Sequence, residues 1–140
     1  MLEGLDHYNI TPSDLERSRR FYAEVLGLRD GERPMFRTPG AWLYCGDRPI
    51  VHLSTRTSPK SADTGTFNHI AFSAKDLNGT IRHLKRLNVP FELVKVPPMA
   101  NHPRSGGTQI FLKDPDDVAI ELQFTAAEKL EEDVEVGPSR

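Results

Sequence analysis

The chain repeats itself. His7 precedes His69 by 62 positions (69 − 7), and the same offset pairs Ile10 with Phe72, Asp14 with Asp76 and Leu15 with Leu77. Two later runs also correspond, PIVHL and VAIEL, which sets His52 against Glu121. A repeat of this length means one supersecondary unit used twice, and it limits the possible folds more than composition does. Each half reads as strand, helix, then strands, a βαβββ unit. A four-stranded sheet covers one face with its helix. The other face must pack on a partner or line a cleft.

Local signals fix where the elements fall. Gly4 to Ile10 alternates as a strand. Ser13 and Glu16 have the spacing of a capping box, and Leu15, Phe21, Tyr22, Val25 and Leu26 follow on one helical stripe. Gly27 suits the left-handed residue that ends a helix. Strands are expected over Ala41–Cys45 and Pro49–Ser54. In the second half a strand is expected over Phe67–Ser73. Asp76 caps a helix from Leu77 to about Leu87, and strands follow at Phe91–Val96, Thr108–Lys113 and Val118–Phe124. Asp114-Pro115-Asp116-Asp117 is a turn. The predicted organisation is one domain over residues 1–124, with module one at about 4–56, a polar linker at 57–65 and module two at 66–124. Residues 125–140 are expected to form a short helix, opened by Thr125 and Glu128, and an acidic tail.

With 140 residues, 18 basic and 20 acidic, the formal charge is −2. Such a balance offers no electrostatic case for nucleic acid or a membrane surface. The one cysteine, Cys45, has no partner for an intrachain disulfide. MLEGLDHYNI lacks the charged head and apolar stretch of a signal peptide, and no apolar run approaches the roughly 20 residues of a membrane span. A cytoplasmic protein is expected.

The repeat places ligand-type side chains where strands usually carry valine. His7 and His69 open the two units, and His52 and Glu121 sit in their last strands. Imidazole and carboxylate suit a divalent metal such as Zn, Ni, Fe, Mn or Co. A lone strand histidine is ordinarily structural, but four such residues at matched positions point to a shared site. His83 falls on a helix, where a solvated ring is expected. The fold expectation is therefore α+β: two paired βαβββ modules forming a curved mixed sheet around a metal cleft.

HYNITPSDLERSRRFYAEVLGL, NHIAFSAKDLNGTIRHLKRLNVPF and IFLKDPDDVAIELQF together resemble the vicinal oxygen chelate superfamily, which includes glyoxalase I, bleomycin-resistance proteins and extradiol dioxygenases. The resemblance runs from about Leu5 to Phe124. It implies a metal-holding cleft, commonly in a homodimer, and a small-molecule substrate whose two adjacent oxygens bind the metal. It assigns His7, His69 and Glu121 to the metal. His52 stands where bacterial glyoxalase I has glutamate, as fourth ligand or as a base. Phe111, ten residues before Glu121, stands where extradiol dioxygenases usually have a tyrosine. The implied function is a metal-dependent glyoxalase-like isomerase, lyase or epimerase. A ring-cleaving dioxygenase and a non-catalytic drug- or metabolite-binding protein are the alternatives. In the first reading Glu121 is the proton-moving base and His52 the second candidate.

Four further side chains are candidates for substrate. Arg104 and His102 lie in VPPMANHPRSGG, a loop long enough to act as a lid, where Arg104 is an anion partner. Tyr44, alternating with Trp42 along a strand, and Gln109, at the start of the penultimate strand, complete the set.

Overall fold

A computed structural model of the chain describes residues 1, 4–55, 67–98, 100 and 106–131. The linker 57–65, His102, Arg104 and the acidic tail from residue 132 onward lie outside the described residues. Two compact units form, Met1–Asp63 with Asp114–Asp116, and Thr64–Lys113 with Asp117–Arg140.

In the first unit β1 (Tyr8–Ile10), α1 (Leu15–Glu24), β2 (Arg29–Gly31), β3 (Gly40–Cys45) and β4 (Arg48–Ser54) give a sheet of order β1-β4-β3-β2. The second unit has β5 (Ile70–Ser73), α2 (Leu77–Arg86), β6 (Phe91–Lys95), β7 (Thr108–Lys113) and β8 (Ala119–Gln123), in the order β5-β8-β7-β6. These are two four-stranded mixed sheets, each a βαβββ module. The strand β2 had no sequence signal of its own, because Arg-Asp-Gly is short, polar and largely exposed.

The repeat holds at the level of register. Parallel β1 and β4 pair Asn9 with His52, and parallel β5 and β8 pair Ala71 with Glu121. Across the antiparallel neighbours His52 faces Trp42, and Glu121 faces Phe111. His52 and Glu121 therefore occupy the same place in their own sheets. Alternation buries Ala41, Leu43, Val51 and Leu53 on one side, with Tyr22 of α1, and buries Ile110, Leu112, Ile120 and Leu122 in the second unit. The α2 helix contributes Leu77, Ile81 and Leu84, spaced to share one face.

Both helices are capped by aspartate at the repeated position. Asp14 accepts from the Arg17 N–H and Asp76 from the Gly79 N–H, each at 3.0 Å. The capping box expected of Ser13 and Glu16 is not used: the Ser13 N–H donates to Asp116, and Glu16 pairs with Arg19 at 2.8 Å. Gly79 is required by the second cap, since a Cβ there would lie 2.0 Å from Asp76 Oδ2. Gly27 takes φ +70° after α1, as its position predicts. The helix expected after Thr125 is instead a turn over residues 126–127. The Glu128 carboxylate, rather than closing its own capping box, accepts from the Leu77 N–H at 2.7 Å and serves the start of α2.

Asp114–Asp116 complete the first unit. The fully buried Tyr22 donates from its hydroxyl to Asp114 Oδ2 at 3.0 Å and stands 3.0 Å from the Tyr8 hydroxyl. Burial is the main force raising both phenols above their ordinary range. A folded state that holds these protons loses stability as pH rises past about 10, because only the unfolded chain releases them. In an alkaline titration the phenolate absorbance of Tyr8 and Tyr22 should appear together with loss of the folded circular dichroism signal. Ionisation of both in a still-folded chain would contradict this packing. Among the described residues, no helix is long and apolar enough to cross a membrane.

Candidate functional site

The first unit presents a column of rings. His7, just before β1, stacks on His52 with ring centroids 3.8 Å apart and planes within 16°. The other face of His52 lies on Trp42, its cross-strand neighbour, at 4.2 Å and 10°. Packed between two rings, His52 is only 9% exposed. Its Nε2 is buried and has no hydrogen-bond partner among the described residues. Burial, followed by the nearby His7, lowers its pKa, which favours the neutral ring and leaves nitrogen lone-pair density for a ligand. His7 Nδ1 donates to Asp6 Oδ2 at 2.6 Å, a bond that holds the Asp6 carboxyl below its usual range. That bond orients the ring through Nδ1, so Nε2 is the nitrogen left for a ligand.

The second unit repeats the plan with different chemistry. His69 Nδ1 lies 2.7 Å from Asn68 Oδ1, and its Nε2 lies 3.0 Å from Glu121 Oε2. The two opening histidines are alike even in exposure, with side chains 38% and 36% accessible. Glu121 is 7% exposed. Its other oxygen, Oε1, accepts from Gln109 Nε2 at 2.8 Å, and the same amide nitrogen donates to Gln123 Oε1 at 2.9 Å. Phe111, opposite Glu121 on β7, meets the His69 ring edge-on at 5.9 Å.

The four expected ligands thus come as two pairs, His7 with His52 and His69 with Glu121. Among the described residues no group of three or more His, Cys, Asp or Glu is gathered about one point. The donor set fits a divalent metal. His52 has a buried nitrogen with no hydrogen-bond partner among the described residues, Glu121 is a buried carboxylate, and His7 and His69 each have Nδ1 engaged by an oxygen acceptor, an arrangement that fixes metal-binding imidazoles. Tyr44 is engaged elsewhere, its hydroxyl donating to the Glu32 carbonyl at 2.6 Å and its ring lying under Arg29.

Three partners escaped the sequence reading. Trp42, noted in the sequence only as alternating with Tyr44 along its strand, stands half-buried against His52. Asp6 and Asn68 had a signal: each directly precedes a repeated histidine, and they differ by the same 62 positions (68 − 6).

Comparison with known proteins agrees with this fold. The family model described as the Glyoxalase/Bleomycin resistance protein/Dioxygenase superfamily matches residues 4–122. A probable lactoylglutathione lyase of Vibrio parahaemolyticus is 32% identical over 83% of this chain and 86% of its own length. A glutathione transferase, FosA, of Serratia marcescens is 27% identical over 87% of this chain and 81% of its own length. Among solved structures, a glyoxylase/bleomycin resistance protein/dioxygenase domain from Frankia superposes with a TM-score of 0.71, covering 89% of this chain and 99% of that one at 20% identity.

Proposed function

Since the chain belongs to the glyoxalase/bleomycin resistance protein/dioxygenase superfamily, we propose that it is a metal-dependent isomerase, lyase or epimerase of the glyoxalase type, acting on a small substrate with two adjacent oxygens. The observation that carries this reading is the matched pairing: two half-exposed imidazoles with Nδ1 engaged, each beside a last-strand ligand that is buried. His7, His52, His69 and Glu121 are the residues that would supply ligands to the metal. A bound divalent ion supplies Lewis acidity, which stabilises negative charge developing on the substrate oxygens by several kcal/mol.

The protein's own groups do the rest. Glu121 takes the proton from the carbon next to the carbonyl and returns it, and Gln109 keeps the carboxylate oriented through both steps. His52 is held rigid by its two stacked rings, so it acts by position rather than by movement. Phe111 lacks the hydroxyl with which a tyrosine would assist ring cleavage, which favours proton transfer over dioxygenation.

Trp42 is the only tryptophan, and it touches His52, so it reports on the site. Titration with Co(II) or Ni(II) should quench its fluorescence at one ion per chain. His52→Ala and His69→Ala should each weaken the binding by about 10-fold or more. Alongside this, α-hydroxy- and α-keto-carbonyl compounds incubated in D2O with metal-loaded protein should gain deuterium at the adjacent carbon. Quenching without any deuterium uptake would leave a metal-binding protein but remove the isomerase reading.

A further inference from the structure

We propose that Gln109 is a positioning residue that selects Oε2 as the working oxygen of Glu121, an inference that rests on the reading of Glu121 as metal ligand and base. Gln109 and Gln123 are cross-strand partners two residues along from Phe111 and Glu121, so all three polar side chains share one face of the sheet. A carboxylate has only acceptors, so the Gln109 amide must turn its nitrogen toward Glu121. That nitrogen's two protons are both used, one on Glu121 Oε1 at 2.8 Å and one on Gln123 Oε1 at 2.9 Å. Gln123 in turn directs its own nitrogen toward the Phe124 carbonyl. The polarity of this amide relay is therefore fixed from end to end. Glu121 Oε1 is held, and Oε2, 3.0 Å from His69 Nε2, is the oxygen left to bind and to move a proton.

The first module shows that this is a device added to the second. The residue matching Gln109 at the offset that relates His52 to Glu121 (121 − 52 = 69) is Gly40, which has no side chain to offer. There the last-strand ligand is secured by stacking on Trp42. A neutral ring can be held by π contact, whereas a carboxylate needs a hydrogen-bond donor.

The test uses the whole chain and Co(II) itself. Gln109→Met removes the amide at nearly constant volume, and Gln123→Met removes only the amide's second anchor. The Co(II) absorption spectrum should change in Gln109→Met, because Oε1 is released, while Co(II) affinity falls by less than about 10-fold. With a substrate that exchanges protons, kcat should fall about 10- to 100-fold and KM should stay within about threefold. Gln123→Met should shift the same way by less, and the double variant should match Gln109→Met alone. Superimposable Co(II) spectra for the wild type and a folded Gln109→Met would overturn the proposal. If Gln109→Met does not fold, an unchanged spectrum in Gln123→Met overturns it equally. A changed spectrum in a protein that exchanges no protons supports the positioning role and removes the base role. A wild type that takes up no Co(II) overturns both.

Discussion

Replacing Glu121 by glutamine should lower solvent-proton exchange at the substrate carbon by about 10²- to 10⁴-fold, the range that a positioned general base contributes. The substitution keeps shape and volume, and its carbonyl oxygen still accepts from Gln109, so the sheet loses little. The two-oxygen acceptor becomes half donor, and its side-chain nitrogen has negligible basicity. Stability should change by under about 1 kcal/mol, because a burial site suited to an amide pair tolerates another amide. Deuterium wash-in followed by proton NMR measures the rate, and urea unfolding measures the stability. His52→Gln is the necessary comparison. Both side chains sit at equivalent sheet positions, so symmetry alone does not choose between them. Glu121 has an oxygen facing His69 and a donor holding the other oxygen, whereas His52 is clamped between two rings. Exchange should therefore survive His52→Gln better than Glu121→Gln. Equal or reversed losses would move the base to His52.

Much of this was legible because the repeat is a statement about register. A sheet residue cannot slip by one position without changing faces. Matching PIVHL to VAIEL therefore places His52 and Glu121 on corresponding faces from the sequence alone. Asp76 was the expected cap of α2, but for α1 the local S-x-x-E pattern pointed to Ser13, one residue before the observed cap, Asp14, which the offset of 62 pairs with Asp76. That pattern failed for a tertiary reason: the Ser13 N–H is taken by Asp116, a residue about a hundred positions away in the chain. Glu128 was misread for the same kind of reason, since the group it caps belongs to Leu77. Trp42 and Gln109 were seen as residues but not as partners. Periodicity says which face a side chain takes, and only the neighbouring strand decides what it meets there.

The turn Asp114–Asp116 provides the other large effect. Asp114→Ala should cost roughly 2–4 kcal/mol of folding free energy, the scale for losing charge-assisted hydrogen bonds at a buried site. Asp114 is 4% exposed, and both its oxygens are used, Oδ2 by the Tyr22 hydroxyl at 3.0 Å and Oδ1 by the Asp116 N–H at 2.8 Å. Removing it strands the Tyr22 hydroxyl, which no water reaches, with Tyr8 alone. It also loosens Asp116, whose carboxylate receives the Ser13 N–H just ahead of α1 and lies 3.4 Å from the Ser18 hydroxyl. For a chain of this size such a loss lowers Tm by about 10 °C. Tyr22→Phe should cost less than Asp114→Ala, because it leaves Asp114 with the Asp116 N–H. Asp114→Asn keeps an acceptor for that N–H, but its new amide hydrogens need partners. A double-mutant cycle on Tyr22→Phe and Asp114→Asn should show a coupling of about 1–3 kcal/mol. Additive costs would mean that the Tyr22–Asp114 hydrogen bond contributes nothing of its own, leaving α1 held by apolar burial, its Asp14 cap and the Asp116 contacts.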